Sequence, residues 1–217
     1  EQVMLREHFR CVPPIIAYSN RTFYKNAIAP LRIPKPSERI DPPLVDIYVP
    51  GGARNTRDCN EAEADAVVAE IATILADERL QDRTIGVISL LGIEQAKYID
   101  SRVRRECGAT ELIHRKFECG DARTFQGSER DIMFLSMVVD RDNCKAVAGL
   151  MFEQRFNVAG SRARDRMYLI RSVEMADLSE KDLRQTLLAH FSKPMVVSNE
   201  EAATLIELCE SGFERDV

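Results

Sequence analysis

"GDARTFQGSERDIMFLSMVVD" at residues 120–140 and "RFNVAGSRARDRMYLI" at residues 155–170 are the two stretches that decide how this chain folds. In the first, a polar loop punctuated by Gly120 and Gly127 feeds a nearly continuous apolar run, the pattern of a strand covered on both faces. In the second, a helix-like segment ends in an arginine-rich turn that feeds another apolar run, "RMYLIRS". Polar, glycine-bearing and arginine-bearing turns at the ends of buried strands suit a phosphate-handling domain. No "GxxxxGK[ST]" loop occurs in the chain, so a nucleotide site built on these arginines needs a second domain for the phosphate cradle and the metal ligand.

Working outward, "PLVDIYV" at 43–49 and "RTIGVISL" at 83–90 read as further strands, and a third is expected near 112–118. Helices are expected over Pro13–Tyr24, over Asn60–Leu75 with Ala64, Val67, Val68, Ile71 and Leu75 as its apolar stripe, over "LGIEQAKYIDSRVRREC", and over Phe152–Ser161. On that last helix Arg155 and Arg162 share a broad face and Arg164 points elsewhere, so one arginine can meet phosphate while another ties the loop to an acid such as Glu129. Prolines 30, 34, 36, 42 and 43 make residues 30–43 an extended connector. The strand–helix alternation predicts an α/β fold with a central, mainly parallel sheet flanked by helices. From residue 176 the pattern changes to a helix opened by a capping Ser179, then the linker "SKPMVVS" and a final helix from about Asn199 to Cys209.

A net charge of -5 with 45% hydrophobic and 30% charged residues describes one ordinary globular core and excludes a wholly basic nucleic-acid-coating protein, while leaving room for a local arginine surface. Cysteines 11, 59, 107, 119, 144 and 209 are widely spaced without a CxxC, which predicts reduced thiols in a cytoplasmic protein and no metal site, His114 notwithstanding. No apolar stretch is long enough for a membrane span, and no membrane partner is expected. The opening "EQVMLREHFR" reads as the middle of a longer polypeptide.

The two loops, taken in order with "LREHFR" from Leu5 to Arg10, "PPIIAYSNRTFY" and "GVISLLGIEQ", resemble the later motifs of superfamily 1 DNA and RNA helicases. The resemblance is to the branch that includes the nonsense-mediated-decay helicase and its DNA-processing relatives, and it covers residues 5 to about 172. It implies a RecA-like P-loop NTPase fold, with residues 1–175 as the second motor domain and residues 176–217 as a helical extension leading into a further domain. By the same resemblance, Arg10 and Arg162 reach the terminal phosphate of ATP across an interdomain cleft. Gln126, Gly127 and Glu129 form the coupling loop between nucleotide and nucleic-acid track, although Gly127 could equally serve backbone geometry alone. Phe9 stacks on adenine or packs in the core, and Ser89 and Thr124 contact nucleic-acid phosphates or act as ordinary turn residues. "ISLLGIEQ" departs from relatives that carry an aromatic and an arginine after the strand, so no contact is carried to Leu91 or Gly92.

ATP and Mg2+ are therefore expected in the full-length parent, with no tight cofactor site on this chain. The expected partners are a preceding RecA-like domain of the same polypeptide and a nucleic acid. The terminal "SGFERDV", with Glu214, resembles the entrance to a restriction-endonuclease-like domain and tilts the expected polymer toward DNA over RNA. Two other readings stand beside the motor: a non-catalytic nucleic-acid-binding or protein-docking module of the same shape, because fold does not fix activity, and a nuclease carrying a motor-like regulator.

Overall fold

The computed structural model describes residues 6–142 and 144–193. In chain order the elements are β1 (Glu7–His8), α1 (Pro13–Phe23), β2 (Ala29–Pro30), β3 (Leu44–Tyr48), α2 (Glu61–Ala76), β4 (Ile85–Ser89), α3 (Ile93–Glu106), α4 (Ala109–His114), β5 (Glu118–Asp121), β6 (Arg130–Ser136), α5 (Leu150–Ala159), β7 (Ala163–Arg171) and α6 (Leu183–Ser192). Strands β3 to β7 form one parallel sheet in the order β3-β7-β6-β4-β5, and β1 pairs with β2 in a separate two-stranded ribbon.

Parallel strands need helical crossovers, and these cover both faces of the sheet. Alternation along β6 divides the core accordingly. Met133 and Leu135 face one cluster with Ile15, Ile16, Phe156, Leu187 and Phe191, from α1, α5 and α6. Ile132 and Phe134 face the other, with Val67, Ile71, Ile99 and Leu112, from α2, α3 and α4. Phe134 stacks on Tyr168 of the neighbouring strand with ring centroids 4.4 Å apart. The stripe expected on α2 is buried at Ala64, Val67, Val68 and Ile71, with Ile74 completing it and Leu75 only partly covered.

Three local expectations are corrected. Residues 109–114 are the helix α4 rather than strand: Leu112 is buried while Ile113 is exposed, as on one turn of an amphipathic helix. The strand that follows, β5, is an edge strand paired only to β4, so "ECGD" needs no apolar run. Helix α5 ends at Ala159 and β7 already begins at Ala163, which takes Arg162 and Arg164 off the helix and out of any shared helical face with Arg155. Helix α6 starts at Leu183, capped by the Asp182 carboxylate accepting from Arg184 N at 2.9 Å, and not by Ser179. The expected helix from Asn199 and Glu214 lie outside the described residues.

Asp182 also forms a buried ion pair with Arg184 at 2.6 Å, and Arg184 donates to the Lys145 carbonyl, which pins the loop before α5 to α6. His190, 2% exposed, closes α6 onto α1 through a 2.8 Å contact with the Pro14 carbonyl. Burial disfavours its imidazolium and lowers its pKa from 6.5 to about 4. A base depressed in the fold contributes stability above its unfolded pKa that is lost as pH falls toward the folded one. We therefore expect thermal stability to fall as pH drops from about 6.5 to 4, by on the order of 3 kcal/mol for this group, and His190→Gln to show a visibly flatter profile by calorimetry over that window.

Candidate functional site: an arginine cluster at the start of the central strands

The parallel register puts the N-terminal ends of β6 and β7 side by side, with Arg130 N donating to the Arg162 carbonyl at 3.1 Å. The segment entering α1 runs along the same edge, where Val12 N donates to the Arg164 carbonyl at 2.9 Å. Three stretches remote in sequence thus bring Arg10, Glu129, Arg162 and Arg164 together. Arg10 Nε donates to Glu129 Oε2 at 2.6 Å and its Nη1 to the Ser161 carbonyl at 3.3 Å. Arg164 reaches the other Glu129 oxygen at 3.8 Å and Asp131 at 3.6 Å.

Arg162 receives no such partner. Its Nε is buried without a hydrogen-bond acceptor among the described residues. Burial first, and the Arg10 guanidinium second, hold its pKa below the ordinary arginine value. An unsatisfied buried donor on a charged group costs free energy that an incoming anion would return. Beneath it lies Cys11, fully buried, its thiol against the Ser161 carbonyl at 3.3 Å and pushed up by burial to about 12, so it is an inert packing group rather than a nucleophile. Phe9, 65% exposed, stands outside the core next to Arg10.

The loop that carries Gln126 and Gly127 leaves β5 at the opposite, C-terminal edge and crosses to this one. Asp121 accepts from Arg123 N at 2.9 Å and Thr124 N at 3.2 Å, which turns the chain and leaves the Arg123 and Thr124 side chains exposed. Gly120 lies so close under Thr124 that a Cβ there would overlap the threonine side chain. Phe125 is fully buried and anchors the loop, Gln126 is exposed, and Gly127 takes φ +90°, a conformation that L side chains rarely adopt. Ser89 sits at the C-terminal edge, 2% exposed, its hydroxyl donating to the Leu91 carbonyl at 3.2 Å. The eight residues singled out in the sequence therefore fall at two ends of the sheet joined by one loop: Phe9, Arg10, Glu129 and Arg162 at one, Ser89 at the other, with Thr124, Gln126 and Gly127 between.

A buried polar network at the C-terminal edge escaped the sequence reading. Glu63, fully buried, accepts from Ser136 Oγ at 2.7 Å and Val138 N at 2.8 Å, while Asn60 bonds Ser172 at 2.9 Å and Gln95 at 2.9 Å. Desolvation outweighs these donors and raises the Glu63 pKa to about 7. The Asn60-x-x-Glu63 spacing, that of a capping box, is the signal that could have flagged it.

A family model for an AAA domain, AAA_12, matches residues 1–174. The chain belongs to that AAA domain family. Over 181 residues, 79% of its length, it is 29% identical to the 5'-3' DNA helicase ZGRF1 of Mus musculus, and it spans 9% of that protein. The crystal structure of the C-terminal domain of a possible DNA helicase from Lactobacillus plantarum WCFS1 matches with a TM-score of 0.50 and 14% identity, over 84% of this chain and 96% of that one. The AAA domain thus has the RecA-like P-loop NTPase architecture and is distantly related to helicases. Among its described residues no group of three His, Cys, Asp or Glu side chains could hold a metal ion, and no helix is long and apolar enough to cross a membrane.

The orphaned Arg162 donor fits a polyphosphate. Millimolar tripolyphosphate is expected to raise the melting temperature of the AAA domain by mass action. Arg162→Ala should abolish the shift and Glu129→Gln should enlarge it, because the carboxylate competing for Arg10 is gone. Equal shifts in all three proteins would mean that the anion binds elsewhere.

Proposed function

We propose that this AAA domain is the second motor half of an ATP-dependent helicase or translocase of superfamily 1, in the branch that includes the nonsense-mediated-decay helicase. Its arginines would act on a nucleotide held by a preceding RecA-like domain of the same polypeptide. The observation that carries this reading is the buried, partnerless Nε of Arg162, set beside Arg10 where three chain segments meet. Charge spreads over the equatorial oxygens during phosphoryl transfer, and a guanidinium fork placed there in advance stabilises it without reorganisation. Glu129 would hold Arg10 in reserve until the cleft closes. Phe9, exposed beside Arg10, offers a ring face for adenine, and Gln126 and Gly127 lie on the loop that would pass the change along.

ATP's phosphates fit this chain's arginines. A magnesium ion would be held by the other motor domain, since the two carboxylates at this site, Glu129 and Asp131, are taken up by Arg10 and Arg164. Nucleic acid would lie toward the opposite edge, near Thr124 and Ser89. Both hydroxyls are engaged within their own turns, Ser89 by the Leu91 carbonyl at 3.2 Å and Thr124 by Asp121 at 3.4 Å, and Thr124 is the better candidate for a phosphate contact because it is exposed where Ser89 is buried. The DNA helicase relative favours DNA over RNA as the polymer, and the protein would work in the cytoplasm, where its cysteines would stay reduced.

The test is ATP hydrolysis by a polypeptide extended through the preceding motor domain, with and without single-stranded DNA. We expect stimulation by the polymer, a loss of about a thousandfold in kcat for Arg162→Ala, and negligible turnover by the 217-residue chain alone. Magnesium-dependent turnover by the chain alone, or an extended Arg162→Ala variant as active as the parent, would sink the assignment.

A further inference from the structure

The turn from His8 to Cys11 carries two residues of the arginine site, Phe9 and Arg10, and backbone bonds clamp it at both ends. At its start Leu31 N donates to the His8 carbonyl at 2.8 Å as β2 pairs with β1, and just past its end Val12 N donates to the Arg164 carbonyl at 2.9 Å. Between the clamps the turn closes on itself, with Cys11 N donating to His8 Nε2 at 3.1 Å. Cys11 is fully buried, so its amide, cut off from water, depends on that acceptor. The turn also rests on the Ser161 carbonyl, which accepts from Arg10 Nη1 at 3.3 Å and from the Cys11 thiol at 3.3 Å, one residue before Arg162. The half-buried His8 ring thus helps set where Arg10 stands relative to Arg162.

We propose that His8 is a positioning residue for the arginine site: its neutral ring holds the turn bearing Phe9 and Arg10 in the form that receives phosphate, and protonation of the ring releases that turn. The proposal rests on the reading that Arg10 and Arg162 meet the phosphates of a nucleotide. An amide that donates to Nε2 needs that nitrogen bare, so the ring's single proton sits on Nδ1. A second proton sets one N–H against another and removes the acceptor that the buried Cys11 amide uses. Charged groups act on the ring from two sides, Arg10 on its own turn and Glu129 at the entrance to β6, while the paired strand β2 brings only Ala29 and Pro30. Burial first and Arg10 second lower the His8 pKa from 6.5, and Glu129 opposes them. A base depressed in this way keeps its bond above pH 6.5 and loses it as pH falls through the lowered value. The neighbouring Cys11 thiol, pushed up to about 12, stays neutral throughout. An imidazolium would also add positive charge beside the site, which by itself would tighten anion binding. The sign of the pH effect therefore separates a positioning role from a charge role.

The experiment follows the 217-residue chain by proton–nitrogen correlation NMR from about pH 8 to about pH 5, which stays above the His190 pKa of about 4. Tripolyphosphate affinity is measured by calorimetry at both ends of that range. Tripolyphosphate takes up protons itself in this window, so each affinity is read against His8→Gln, whose side-chain carbonyl can accept from Cys11 N at either pH. The Cys11 amide and Arg10 Nε–H resonances should move with the midpoint of His8. The parent chain should match His8→Gln in weak base and bind about fivefold more weakly than it in acid, and His8→Ala should be about fivefold weaker at both ends. Resonances of Cys11 and Arg10 that ignore the His8 titration overturn the proposal, as does an affinity in acid equal to or above that of His8→Gln. If the parent and His8→Gln bind alike at both ends while Arg162→Ala abolishes binding, the phosphate site stands and His8 alone is wrong. Binding by neither protein at either end removes the phosphate site, and the role of His8 with it.

Discussion

Strand β6 is hydrogen-bonded along both edges, to β7 and β4, and covered on both faces, so its seven residues cannot shift register without exposing one set of side chains and burying charge. That constraint fixes two distant points at once. At its start it holds Glu129 against Arg10 and Arg164, beside the mouth of β7 where Arg162 emerges. At its end it holds Ser136 against the buried Glu63. The parallel neighbour β7 inherits the register, so Arg162 is delivered to the same place by the same ladder. A site assembled this way is positioned by the sheet rather than by loops, which suits charge stabilisation that must be in place before the reacting group arrives.

Electrostatic imbalance gives the site its direction. Glu129 pairs with two of the three guanidinium groups, Arg10 and Arg164, Asp131 helps only Arg164, and the deficit falls on Arg162, whose Nε is both buried and unpaired. Folding tolerates this cost because the surrounding core is large and because the Arg162 carbonyl is satisfied, accepting from Arg130 N.

Much of this was legible in the sequence. The apolar runs of β4 and β6 declare strands covered on both faces, and the motif order places Arg10, Glu129 and Arg162 in one neighbourhood. What stayed hidden has physical causes. β5 is an edge strand with a polar sequence, so the preceding Leu112 and Ile113 attracted the strand reading that belonged to Glu118–Asp121. Arg162 and Arg164 look helical because α5 and β7 are joined by only three residues, too short a turn to leave a mark in the pattern. Beyond the capping-box spacing of Asn60 and Glu63, the Asn60–Glu63–Ser136 network leaves no mark in the sequence, because its members are ordinary polar residues whose burial depends on the packing of α2 and α3 over the C-terminal ends of β6 and β7.

The central claim is that Arg162 keeps its donor free for a phosphate supplied across a cleft. A crystal structure of the two motor domains together, bound to ADP and a γ-phosphate mimic such as beryllium fluoride, tests it most directly. The account predicts the Arg162 guanidinium within hydrogen-bond distance of the mimic, with Arg10 released from Glu129 or bridging it. A closed complex in which Arg162 Nε still faces no acceptor, or bonds only to protein groups, would contradict it.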